Sequence, residues 1–171
     1  ILSDVFLYGL FVGSIPLTPL VNKDRYIEYF LTNIQVISLN GTITNAVKIL
    51  SKRQRPDAYF QTRNYEKDQF RSFFSGHTST AFALGTSSAI LLSRDYPEKK
   101  NVILASALGF ASGTGYLRIA ADKHYMTDVL VGGIVGTLVG FFVQNYKGNK
   151  LSIIPMGFNE NKMIRFSFAL H

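Results

Sequence analysis

The sequence predicts an all-α protein, a compact helical bundle with a short β-hairpin appended at its C-terminus. Three observations predict it. Apolar stretches run roughly over Val5 to Leu20, Thr78 to Leu92, Val102 to Leu117 and Val129 to Val143, each nearer ~15 residues than the ~20 a membrane-spanning helix needs. Between the first two, Ile34, Ile37, Ile43, Val47 and Leu50 recur near helical spacing. At the far end, Ile164, Phe166, Phe168 and Leu170 alternate with Arg165, Ser167 and Ala169, the period of a strand.

Taken in order, the first periodic helix runs from Asn33 to Lys52, and Arg55-Pro56 ends it, because a residue before proline avoids the helical region. A polar, aromatic-bearing loop follows from Asp57 to Phe74. Ser75-Gly76-His77-Thr78 then opens a helix to about Ser93, broken by Asp95-Tyr96-Pro97. The next helix spans about Lys100 to Tyr116. A loop from Leu117 to Met126 leads to Thr127-Asp128, a capping pair for a helix to about Tyr146. Lys147-Gly148-Asn149 reads as a turn, and Asn159-Glu160-Asn161 turns the hairpin. Residues 1–146 thus form the helical domain and 147–171 a tail attached to it. The frequent Gly, Ser and Thr in the apolar stretches, with a mean hydropathy of only +0.13, favour buried helices of a compact bundle over a membrane bundle, although small residues also line packed transmembrane helices. No signal-like leader is visible at the start, and Ile1 is compatible with a preceding leader or anchor.

Composition narrows the chemistry. With 47% hydrophobic and 17% charged residues the chain is not of the disordered class. It has no Cys, which excludes disulfides, thiolate metal sites and a Cys nucleophile. A net charge of +7 suits anionic partners such as phosphate esters or acidic lipid surfaces. The basic residues are not striped with aromatics, which argues against nucleic acid.

Three motifs carry candidate function: Lys48 with Arg55-Pro56, then Ser75-Gly76-His77, then Arg118 with His124 and Asp128. A phosphoryl group in transfer spreads negative charge over its equatorial oxygens, and without a metal it must be held by fixed cations and amides. Lys48, Arg55 and Arg118 supply three positive charges, and an arginine fork grips two oxygens at once. Ser75 and the Gly76 amide lie at a helix start, where free N–H groups and the dipole favour anions. His124 and Asp128 are one helical turn apart, so the carboxylate can fix the imidazole tautomer and leave the other nitrogen free to attack phosphorus. His77 is then the group to protonate the leaving oxygen and afterwards activate water. Each part alone is unspecific. A His-x3-Asp pair is usually a surface helix pair, Ser75 would pass for a simple cap, and Lys52 and Arg53 read as a solvated basic face. Two histidines and an aspartate suggest zinc on paper, but the neighbouring cations repel a metal ion and no third well-placed histidine completes a set.

Together, in this order and with both internal spacings kept, the motifs resemble those of the type 2 phosphatidic acid phosphatase superfamily, which includes lipid phosphatases, acid phosphatases and vanadium haloperoxidases. The resemblance covers about Lys48 to Val143. It implies the helical bundle of that superfamily and a metal-independent, cofactor-free phosphatase working through a phosphohistidine at His124, with His77 and Asp128 as catalytic partners. Lys48, Arg55, Ser75, Gly76 and Arg118 would then bind the substrate phosphate. Two positions depart from the family pattern: Phe74 stands where Pro is usual, and Leu117 where Ser is usual. Short length favours a phosphatase over a haloperoxidase. Tyr59, Phe60, Phe70, Phe73 and Phe74 favour a lipid phosphate, with a membrane-surface association, over a soluble ester. The general look resembles Gram-negative envelope proteins of the superfamily, which implies a periplasmic or envelope location, with an integral inner-membrane protein as the alternative. A non-catalytic binder of phosphate-bearing lipid is the competing class, opposed by the intact His77, His124 and Asp128.

Overall fold

The computed structural model describes residues 25–60 and 69–150. Five helices are present there: α1 (Tyr26–Ser51), α2 (Pro56–Tyr59), α3 (Gly76–Asp95), α4 (Lys100–Ala120) and α5 (Met126–Lys150), with a 3-10 turn at Pro97–Lys99 before α4. The expected helical fold is found, and the described residues contain no strand. The predicted hairpin and the stretch from Val5 to Leu20 lie outside the described residues.

Several boundaries differ from the sequence reading. α1 begins at Tyr26 rather than Asn33, because its first turns carry exposed apolar residues (Ile27, Phe30, Leu31) that obscure the period. It stops at Ser51, where Lys52 turns left-handed at φ 45° and returns its N–H to the Lys48 carbonyl. Pro56 therefore does not end α1 but opens α2, at a position where its missing N–H costs nothing. α4 continues past Tyr116 to Ala120, so Arg118 sits in a helical last turn instead of a loop. α5 starts one residue before Thr127 and passes through the predicted turn at Lys147-Gly148-Asn149.

Close contacts fix how the helices run. A Cβ on Gly132, Gly136 or Gly140 of α5 would lie 2.8, 2.1 or 2.5 Å from the carbonyl oxygens of Ser75, Ser79 and Ala83 on α3. Both series climb by four residues, so α3 and α5 are parallel and touch backbone to backbone, the packing that small residues permit. One turn further, Gln144 Nε2 donates to Ser87 Oγ at 2.9 Å. α4 runs the other way, with Ala107 against Gly85 and Gly115 against Thr78. α1 is also antiparallel to α3. Tyr29 donates to Asp95 at 2.7 Å, Ser79 donates to Asn40 at 2.6 Å, and Thr44 meets Gly76. The C-termini of α1 and α4 and the N-termini of α3 and α5 consequently share one end of the bundle, and all three motifs lie there.

The interior is small and largely polar. Val36, Ala83, Leu84, Val139 and Val143 form its apolar centre, while Thr32, Asn40, Ser79, Ser87 and Gln144 are equally buried. Large apolar side chains point outward: Leu130, Ile134 and Leu138 on α5 are more than half exposed, as are Val102 and Phe110 on α4. The expectation of apolar stretches buried in a compact bundle holds for Thr78 to Leu92, where Ala81, Ala83, Leu84, Ala89 and Leu91 are buried, and fails for the two stretches that follow. Val102 to Leu117 and Val129 to Val143 are parts of longer helices, and apart from Val139 and Val143 it is mainly their small residues that face the neighbours. Pro97–Ala120 and Met126–Tyr146, with mean hydropathies of 1.3 and 1.9, are long and apolar enough to cross a membrane by length and composition.

The glycine contacts make a direct test. Gly136→Val places a branched side chain where even a Cβ lies 2.1 Å from the Ser79 oxygen, so α3 and α5 must separate. We expect a destabilisation of roughly 3 kcal/mol, read as a lowered thermal midpoint in detergent. Gly41→Val, at a position with open space around it, serves as the tolerated control.

Candidate active site

Three connecting segments meet at the shared end. The chain after α1 is held to the segment before α3 by the Arg55 N–H on the Gln69 carbonyl (2.8 Å) and the Ser72 N–H on the Arg53 carbonyl (3.0 Å). It is held to the α4–α5 loop by the Asp57 N–H on the Asp122 carbonyl (3.0 Å) and by Lys123 Nζ on Asp57 Oδ2 (2.7 Å). Burial alone would raise the Asp57 carboxyl pKa, but the Lys123 ammonium outweighs it and holds the group below its ordinary value. Phe74, in place of the usual proline, is buried beneath the start of α3. Leu117, in place of the usual serine, is half-buried on α4.

His124 occupies the α4–α5 loop with only 2% of its surface exposed. Its Nδ1 lies 3.6 Å from Asp128 Oδ2, one turn along α5. That is longer than a made hydrogen bond, as catalytic contacts often are before substrate arrives. Burial, the main cause, and the nearby charges of Arg118, Arg55 and Lys48 push the His124 pKa down to about 4, against an opposing pull from Asp128. All three cations expected from the motifs therefore act on this imidazole. At neutral pH it is unprotonated, the form a nucleophile requires.

The remaining motif residues frame the same corner. Lys48 Nζ comes within 3.5 Å of where a Gly76 Cβ would stand, an ordinary contact distance that puts the ammonium beside the start of α3. Ser75 is the fully buried N-cap of α3: its Oγ accepts from the Thr78 N–H at 3.4 Å, and its own N–H donates to the Asp128 carbonyl at 3.0 Å. His77 is half-buried in the opening turn of α3. Asp128 is not the N-cap of α5, as the Thr127-Asp128 reading expected. Tyr125 precedes the helix, and Asp128 reaches back to accept the Tyr125 N–H at 3.0 Å, half of a capping box.

Two residues outside the predicted set also belong to this corner. Ser72 Oγ donates to Asp128 Oδ2 at 2.6 Å, and Arg53 Nη1 donates to Asp128 Oδ1 at 2.8 Å. Arg53, read from sequence as part of a solvated face, is thus engaged with a buried carboxylate, whereas Lys52 is exposed as expected. The available signals were their places beside the first motif and three residues before Ser75, and neither has a spacing rule. Among the described residues, no group of three or more His, Asp or Glu side chains is placed to hold a metal.

Comparisons with known proteins bear on the family and the fold. The family model of the PAP2 superfamily matches residues 30–151, more than half of the chain. A curated relative, lipid A 1-phosphatase of Porphyromonas gingivalis, is 36% identical over 104 residues, which is 61% of this chain and 20% of the relative. The matched part thus spans about one fifth of that relative's length. Among solved structures, Aquifex aeolicus LpxE is similar with a TM-score of 0.63 and 28% identity, over 85% of this chain and 84% of that one. The transmembrane PAP2 type phosphatidylglycerolphosphate phosphatase of Bacillus subtilis shares the fold at a TM-score of 0.64 and 22% identity, over 89% of this chain and 70% of that one. With the motifs, the fold and the family match in agreement, the chain belongs to the PAP2 superfamily.

Proposed function

We propose that the protein is a metal-independent phosphatase of lipid phosphates that works through a phosphohistidine at His124. The observation that carries this reading is the convergence of Lys48, Arg55 and Arg118 on one buried, neutral imidazole backed by Asp128. The cations and the N-terminus of α3 hold the phosphate oxygens. His124 attacks phosphorus through Nε2 while the ester bond breaks, and His77 protonates the departing oxygen. His77 then takes a proton from water, which attacks the phosphohistidine and releases inorganic phosphate with His124 restored.

A membrane setting supports a lipid substrate. α4 and α5 each suit a bilayer crossing, and the 21 residues of Met126–Tyr146 rise roughly 30 Å, about one hydrocarbon core. Exposed aromatics stand at both ends, Tyr26, Phe30, Phe142 and Tyr146 far from the site, and Tyr59, Phe60 and Phe70 beside it, as interfacial residues do. The site then opens at one membrane face, in reach of a headgroup, and the envelope of a bacterium with the site on its periplasmic side is the location we favour. The names of the relatives point to lipid A and phosphatidylglycerophosphate as the substrates to try first.

A phosphate-release panel tests this. It should contain lipid A, phosphatidylglycerophosphate, phosphatidic acid, undecaprenyl diphosphate and p-nitrophenyl phosphate, each with excess EDTA. We expect turnover of at least one lipid to survive chelation, and orthovanadate to compete with substrate, because vanadium adopts the five-coordinate geometry the cradle is built to hold. Activity lost in EDTA and restored by a divalent ion would overturn the mechanism. Preference for the soluble ester over every lipid would overturn the substrate class.

A further inference from the structure

Asp128 is fully buried, and its two oxygens are supplied from three different segments. Oδ1 takes Arg53 Nη1 at 2.8 Å. Oδ2 takes Ser72 Oγ at 2.6 Å and the Tyr125 N–H at 3.0 Å, and it is also the oxygen that faces His124. Arg53 is itself fixed. The same Nη1 donates to Thr127 Oγ1 at 2.9 Å, and the guanidinium lies 4.3 Å from the centre of the Tyr125 ring, a cation–π distance. The Ser72 N–H on the Arg53 carbonyl joins the two donors to each other. Apart from the flip that exchanges its two equivalent oxygens, no rotation of the carboxylate keeps all of these bonds, so the plane it presents to the imidazole is set by Arg53 and Ser72.

We propose that Arg53 and Ser72 are positioning residues of the His124–Asp128 pair, fixing the plane in which the Asp128 carboxylate meets Nδ1 and setting how much negative charge the imidazole feels. This rests on the phosphohistidine reading given above. Neither side chain is assigned a contact with phosphate. Arg53 neutralises part of the Asp128 charge, so the carboxylate orients the ring without drawing it into the protonated form. Lysine would keep that charge but not the planar contact with Tyr125, nor a donor shared between Thr127 and Asp128.

The test is titration of His124 by NMR in detergent, with histidine labelled; the chain has 3 His, so the spectrum is simple. Removing the Arg53 charge leaves Asp128 more able to stabilise the imidazolium. In Arg53→Met the titration should therefore move up by about one unit from its wild-type position near 4. Arg53→Lys should restore most of the shift, and Ser72→Ala should move it in the same direction by less. With an active lipid substrate, kcat should fall roughly tenfold in Arg53→Met, as for lost outer partners of a functional histidine, and the acid limb of kcat/KM should follow the titration, with KM nearly unchanged. If Arg53→Met does not fold, Arg53→Lys and Ser72→Ala carry the comparison. An unmoved His124 titration in Arg53→Met, or in Ser72→Ala if Arg53→Met does not fold, would overturn the proposal, and so would a raised KM with kcat intact, which would make Arg53 a phosphate ligand. An inactive wild-type protein would instead sink the phosphatase reading, and the titration, which needs no turnover, would still decide this one.

Discussion

His124→Ala is expected to abolish the phosphoenzyme and to lower turnover by at least about 10⁴-fold. Among the motif residues only His77 could otherwise take the phosphoryl group, and the proposed mechanism gives it the acid–base role. Lys48, Arg55 and Arg118 are cations, Ser75 is buried with its hydroxyl on Thr78, and Asp128 is bonded to Arg53, Ser72 and the Tyr125 amide. The cradle itself survives the change, so vanadate should still bind, more weakly for want of its apical partner. Rapid quenching of the wild-type reaction with labelled substrate should trap acid-labile, base-stable label on His124. Label on His77 in the wild type, or label formed by His124→Ala, would require the two histidine roles to be exchanged or abandoned. Asp128→Asn should lie between wild type and His124→Ala, since the imidazole remains and its orientation does not.

His77→Ala is expected to slow hydrolysis of lipid phosphates by roughly 10² to 10⁴-fold, the usual share of general acid catalysis. The leaving group of an alkyl ester is a strongly basic alkoxide that needs a proton as the bond breaks. The p-nitrophenolate group needs none, so phosphoenzyme formation from p-nitrophenyl phosphate should suffer much less. Hydrolysis of the intermediate still calls for a base, a role the proposed mechanism also gives to His77. The variant should therefore release a burst of p-nitrophenol, roughly one equivalent per site, and then turn over slowly with label held on His124. Equal slowing of both substrates without a burst would remove His77 from the acid–base role.

Much of this corner was legible in the sequence because its parts lie in three short motifs, each spanning only a few residues at a helix end. Gly76 opening α3 behind a Ser75 cap, and Asp128 one turn from His124, both follow from local geometry. Arg53 and Ser72 did not follow, because they meet Asp128 from 75 and 56 residues away, and only the folded chain brings them there. The outward direction of the apolar side chains was hidden for another reason. Periodicity reveals that a helix has two faces, but not which of them meets protein. When Gly132, Gly136 and Gly140 form the contact face, Ile134 and Leu138 are left on the other. The full length of α4 is not visible in the sequence because the apolar run ends at Leu117, whereas Arg118, buried in the last turn, continues the helix.

The four-residue ladder between α5 and α3 is self-similar, and that has a consequence for assembly. Displaced by one turn, Gly136 would face Ala83 and Gly132 would face Ser79, with small residue still against small residue. Shape alone therefore distinguishes the native alignment poorly from its neighbours, like a zip that closes one tooth out. The keys that tell them apart are polar: Gln144 finds Ser87, and the Ser75 N–H finds the Asp128 carbonyl, only in the native alignment. In a bilayer each such bond contributes about 1 kcal/mol, a modest bias against a misalignment that would carry His124 about 5 Å along the bundle from the start of α3. Gln144→Leu, far from the phosphate cradle and harmless to hydropathy, should accordingly yield a helical protein of which a fraction is permanently inactive, rather than a uniform population that is uniformly slow.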